Sequence, residues 1–107
     1  ESLTKLNCLL VKKLLSLYYK KKIIFKKPND LIVNKKKICG ILQETINKSD
    51  NIYLIVGIGV NLIRSPKIKN YPTTNLYDLL NKKVSKKKIL VELKKIFETN
   101  LKKIQKI

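Results

Sequence analysis

Between residues 23 and 60 the chain is a succession of β-prone stretches cut apart by turn-forming residues, and this alternation limits the possible folds more than any other feature. Residues 23–26, 30–33 and 37–46 are rich in Ile, Val, Leu and Phe. The last two are separated by Asn34-Lys35-Lys36, so a β-hairpin is the simplest reading. Asn47-Lys48-Ser49-Asp50-Asn51 forms a second polar turn. Residues 52–60 are almost wholly apolar, broken only by Gly57 and Gly59, which predicts a strand buried on both faces.

Helical periodicity brackets this β region. Leu3, Leu6, Leu10, Leu14 and Leu17 recur at helical spacing over residues 2–19, with Lys5, Lys12 and Lys13 largely on other faces. After residue 60, Pro66 and Pro72 break regular structure through residues 63–74, and a short helix is expected to start near Thr74 or Asn75. Ser85 can cap a final helix carrying Ile89, Val91, Leu93, Ile96, Phe97, Leu101 and Ile104 on one face. Helix, three or four strands, then helices is the order of an α+β layer, with helices covering one side of a mixed or antiparallel sheet.

At 107 residues the chain is one small domain or a piece of a larger one. It opens on Glu1 and contains no methionine, as expected of a segment of a longer protein. The net charge of +18 suggests a phosphate-neutralising nucleic-acid binder. Composition weighs against that reading for this segment, because every basic residue except Arg64 is lysine and bidentate phosphate or base recognition favours arginine. The runs Lys20-Lys21-Lys22, Lys35-Lys36-Lys37 and Lys86-Lys87-Lys88 fall at element boundaries, where solvated ends account for them.

Cys8 and Cys39 are expected as reduced, partly buried thiols of a cytoplasmic protein, and with no histidine the sequence holds no zinc-site spacing. The apolar stretches fall well short of the about 20 residues a spanning helix needs, so no membrane association is expected.

Three linked elements carry chemistry. The string KKPNDLIVNKKKICGILQE, from Lys26 to Glu44, is followed by GIGVN at Gly57 to Asn61. Singly these are ordinary: Pro-Asn-Asp is a common turn tripeptide, and a lone GxG is weak evidence for a phosphate loop. Together, in this order and spacing, they resemble the biotin protein ligase signature of a KWPND turn, a KxxGIL strand and a GxGxN strand end. The resemblance covers most of the chain, residues 1–107 being read as the middle and C-terminal part of such a catalytic domain, incomplete at its N-terminus.

It implies a class II synthetase-like fold of the biotinyl/lipoyl ligase kind. It also implies ATP-dependent activation of biotin to biotinyl-5'-AMP, with transfer to a lysine of a biotin carboxyl carrier protein, the acetyl-CoA carboxylase subunit. Biotin activation brings a carboxylate to the α-phosphate of ATP, and both are anions, so a cation is needed between them. By the resemblance Lys37 is that cation and a biotin ligand. Asp30 is a second catalytic residue placed near Mg²⁺ or the attacking groups. Gly40, Ile41, Gly57 and Gly59 would line the biotin site, where small residues allow close approach. Asn29 and Asn61 would contact the nucleotide.

The chain departs from the pattern at Lys27, where the family usually has Trp, and at Cys39, usually a small residue. The family's glycine- and arginine-rich loop is absent from these residues. The segment alone is therefore expected to be inactive, marginally stable and prone to associate through open sheet edges. The competing readings are a lysine-rich nucleic-acid-binding module and a non-catalytic relative that binds biotin.

Overall fold

The computed structural model describes residues 2–105, and the side chains of residues 3–100. Its elements are α1 (Ser2–Leu15), β1 (Ile24–Lys26), β2 (Asp30–Val33), β3 (Lys36–Lys48), β4 (Asn51–Val60), α2 (Leu76–Leu80) and α3 (Lys86–Gln105). The four strands form one antiparallel sheet in the order β1-β2-β3-β4. The expected α+β layer is present, with α1 packed over β1, β2 and β3 and α3 packed on α1.

Two tight turns set the registers. Asn34 and Lys35 have φ of 50° and 65°, and Ser49 and Asp50 have φ of 51° and 64°. Positive φ at both central residues of a two-residue loop matches the right-handed twist of the flanking strands. The second of these turns fixes ten paired positions between β3 and β4, from Cys39↔Val60 to Lys48↔Asn51.

The core lies between α1 and the first half of the sheet. Cys8, Val11, Leu14 and Leu15 from the helix meet Leu31, Val33, Ile38, Cys39 and Ile41 from the strands, all fully buried. Burial of side chains of this size stabilises by about 1.5–3 kcal/mol each relative to exposure. The leucine stripe read from the sequence holds in its middle and fails at its ends: Leu10 and Leu14 are buried and Leu6 is half-buried, while Leu3 and Leu17 are exposed and Cys8, Val11 and Leu15 complete the covering face. In α3, Ile89 is buried and Leu93, Ile96 and Phe97 pack on the core, but Val91 is turned to solvent. The side chains of Leu101 and Ile104 lie outside the described residues.

The apolar strand corrects a second expectation. β4 is an edge strand, not one buried on both faces: residues 51–55 are exposed, and only Val56, Ile58 and Val60 are half-buried. An apolar run signals burial on two faces only when both have a cover. Among the described residues β4 has one strand neighbour, β3, and residues 51–55 of its outer half are exposed. Both cysteines are free and fully buried, deeper than expected.

Candidate functional site

The site stands on the helix-free face of the sheet, and a β-bulge aims its central residue. Successive strand residues alternate faces, so Lys37 and Gly40, three apart, would normally point to opposite sides. The register between β2 and β3 shifts between Leu31 and Ile32: Leu31 pairs with Cys39, yet Ile32 pairs with Lys37. The extra residue, Ile38, is buried with Cys39 beneath the sheet, and Lys37 comes round to the face of Asp30 and Gly40. Lys37 Nζ then lies 3.4 Å from Asp30 Oδ1.

Gly40 makes this placement possible. A Cβ there would stand 3.0 Å from Lys37 Nζ and 3.1 Å from its Cε, so the lysine occupies the space that a side chain would need. Gly57 and Gly59 are glycines for another reason. A Cβ at either would meet only ordinary contacts, 3.7 Å to Leu42 O and 3.8 Å to Gly40 O, and neither has a positive φ. Packing within this chain does not demand glycine at these two positions, and a side chain on either would project into the cleft.

That cleft, of about 420 Å³, is lined by Asn29, Asp30, Lys37, Gly40, Ile41, Gly57, Gly59 and Asn61, together with Leu42, Pro66 and Ile68. Every residue singled out from the sequence meets here. Ile41 has its side chain fully buried, so it offers the cleft mainly backbone. Asn29 ties the Pro28 turn to β3 by accepting from Ile41 N–H at 2.9 Å. Asn61 Nδ2 donates to Thr74 O at 3.0 Å and to Lys37 O at 3.4 Å, which leaves its carbonyl Oδ1 as the group open to a ligand.

The loop after β4 is clipped alongside β3. Lys37 N–H donates to Pro72 O at 2.9 Å, Thr74 N–H donates to Lys37 O at 2.8 Å, and Leu76 N–H donates to Asn61 O at 3.0 Å. Asn75 caps α2 by accepting from Asp78 N–H at 2.8 Å, as its residue type predicts. The clip delivers a residue the sequence reading missed, Tyr71, whose hydroxyl donates to Asp30 Oδ2. Burial first, and then the Asp30 carboxylate, push the Tyr71 phenol up to about 12. Only its spacing from Pro72 could have flagged it, because no local pattern relates it to a carboxylate 41 residues earlier.

Beneath the site, burial pushes the Cys39 thiol up to about 12, with the neighbouring Cys8 adding to the shift. Both cysteines therefore behave as apolar packing, not as nucleophiles. The residues present do not form a magnesium site. Asp30 is the only carboxylate lining the cleft, both its oxygens are engaged, and among the described residues no three acidic, His or Cys side chains gather to hold a metal ion.

A sequence model of the Biotin/lipoate A/B protein ligase family matches residues 6–61. Biotin protein ligase from Aquifex aeolicus superposes with a TM-score of 0.78 at 30% identity, over 97% of this chain and 46% of that one. A structure of the same ligase in complex with biotin and ATP gives 0.75 at 30% identity, over 94% and 42%. P. falciparum LipL1 in complex with lipoate gives 0.64 at 22% identity, over 90% and 30%, a likeness of fold alone. This chain spans under half the length of these structures. Its sheet and helices are those of the biotin ligase catalytic-domain fold.

Proposed function

Because the chain belongs to the biotin/lipoate A/B protein ligase family, we propose that it forms part of the catalytic domain of a biotin protein ligase. The observation that carries this reading is the Lys37 ammonium, held beside Asp30 at the rim of a glycine-floored cleft.

Activation joins a carboxylate oxygen of biotin to the α-phosphorus of ATP and expels pyrophosphate. Charge accumulates on the phosphoryl oxygens as the two anions meet, and a fixed ammonium stabilises it without reorganising at that moment. In the second step the acceptor amine attacks the acyl carbon and AMP leaves. In this reading Gly57 and Gly59 admit the biotin ring and tail close to the strand, and Asn29 and Asn61, which line the same cleft, are the residues we assign to the nucleotide. The cleft offers no free carboxylate, so any magnesium would be held by the nucleotide phosphates and not by these residues. The partner is a biotin carboxyl carrier protein.

Biotin is favoured over lipoate because the structures matched at 30% identity are those of a biotin protein ligase. The test is exchange of pyrophosphate into ATP by the protein expressed from its complete reading frame, with biotin or lipoate as the acid. Exchange dependent on biotin alone supports the reading. Exchange with lipoate alone would move the enzyme to the other branch of the family, and tight biotin binding without exchange would identify a non-catalytic relative. The 107-residue chain by itself is expected to give no exchange.

A further inference from the structure

Lys26 and Lys37 are both placed to reach Asp30, and Lys37 is paired with it. Lys26 is its cross-strand partner, Cα opposite Cα on the same face, so the Lys26 ammonium is placed to pair with the Asp30 carboxylate. Lys37 reaches the same carboxylate only through the bulge. Yet Lys37 holds Asp30 Oδ1 at 3.4 Å, while the Lys26 ammonium lies over the ring of Tyr71, 4.7 Å from its centroid.

We propose that Tyr71 is a positioning residue that sorts the two lysines: its ring draws Lys26 aside, and its hydroxyl holds the Asp30 carboxylate in the orientation that serves Lys37. One side chain meets all three partners. Its hydroxyl donates to Asp30 Oδ2, and its ring centroid is 4.7 Å from Lys26 Nζ and 5.5 Å from Lys37 Nζ. A cation within about 6 Å of an aromatic face gains an attraction comparable to that of an exposed ion pair, so parking Lys26 on the ring competes evenly with pairing it to Asp30. The backbone clip at Pro72 and Thr74 fixes Tyr71 relative to Lys37 itself, so the sorting device and the sorted lysine move together.

The consequence is directional. With Asp30 anchored on one side by a neutral donor, Lys37 keeps a single carboxylate partner on its flank and presents its remaining ammonium protons to the cleft. If Lys26 took Oδ2 in place of the Tyr71 hydroxyl, two ammonium groups would share one carboxylate and Lys37 would be held less firmly.

The purpose of the device rests on the ligase reading, but its test uses no substrate. The measurement is side-chain ammonium NMR of the lysine-labelled protein from the complete reading frame, comparing hydrogen-exchange rates at Lys37 and Lys26. Tyr71→Phe keeps the ring and removes the hydroxyl: exchange at Lys37 should quicken by about threefold to fivefold, the scale of one partly exposed ion pair, with Lys26 unchanged. Tyr71→Leu should release Lys26 as well, and adding Lys26→Gln to that variant should return at least half of the Lys37 protection. Backbone amide shifts of Leu31 and Ile38 report whether each variant keeps its fold, and Tyr71→Phe decides the matter if Tyr71→Leu does not. Unchanged Lys37 exchange in Tyr71→Phe overturns the proposal. So does Lys26→Gln failing to restore Lys37 in a folded Tyr71→Leu protein. A protein that passes this test but shows no biotin-dependent exchange would fail the ligase reading while leaving the sorting intact.

Discussion

The two ends of the β3–β4 hairpin share a strand pairing and almost nothing else. At one end, residues 38–41 of β3 are covered by α1 below and neighbours β2 and β4 on either side, and Ile38, Cys39 and Ile41 are fully buried. At the other, residues 44–55 form a two-stranded arm with every residue exposed, among them Ile52 at 74% and Tyr53 at 50%. All candidate site residues sit at the covered end. The lesson is one of rigidity: a cation that must stay within a few tenths of an ångström of its partner is built where packing fixes the backbone, and the arm extends where packing runs out.

The contrast should be largest in stability. Leu31→Ala or Ile38→Ala removes a fully buried side chain from the covered end and should cost about 2–5 kcal/mol in chemical denaturation. Ile52→Ala on the arm should change stability by no more than about 0.5 kcal/mol, as for other exposed positions. Equal effects would mean that the arm is covered in solution.

Function should show the next difference. Gly59→Val fills space that no other part of this chain needs, so denaturation should shift by no more than about 1 kcal/mol while biotin binding, followed by calorimetry, is lost. A variant that unfolds would instead make this glycine structural. Gly40→Ala is the sharper probe, because its Cβ falls on Lys37 and should slow pyrophosphate exchange with a small stability change.

Exposure of the arm predicts concentration-dependent association through its apolar strands, measured by sedimentation. Ile55→Lys, a charge on an open edge strand, should reduce it. Within the ordinary pH range the buried thiol should show the least change. Cys39 titrates at about 12 in the fold against 9.0 for an unperturbed thiol, so the stability it contributes is complete below pH 9 and is lost as the pH rises from 9 towards 12. Alkylation of Cys39 at pH 8 should accordingly be slower than that of the unfolded chain.

Much of this was legible in residue order. The turns at Asn34 and Ser49, the caps at Asn75 and Ser85, and the set of residues that meets in one cleft all follow from local chemistry that sequence displays directly. What sequence hid depends on neighbours. The bulge at Ile38 exists because two strands of unequal phase share one core, and nothing within KKICG announces it. The exposure of β4 hid behind its own hydrophobicity, since an apolar strand looks the same whether or not its cover is present. Tyr71 stayed hidden because its partners are Lys26, Asp30 and Lys37, far back along the chain.

The account depends most on Lys37 acting as the cation between two anions, and on its flanking lysines being bystanders. Biotin-dependent pyrophosphate exchange by the protein from the complete reading frame tests this directly when Lys37→Ala is set beside Lys36→Ala, an exposed neighbour at the hairpin turn. Loss of exchange in the first variant and near-normal exchange in the second is the expected result. Undiminished exchange with alanine at position 37 would contradict it.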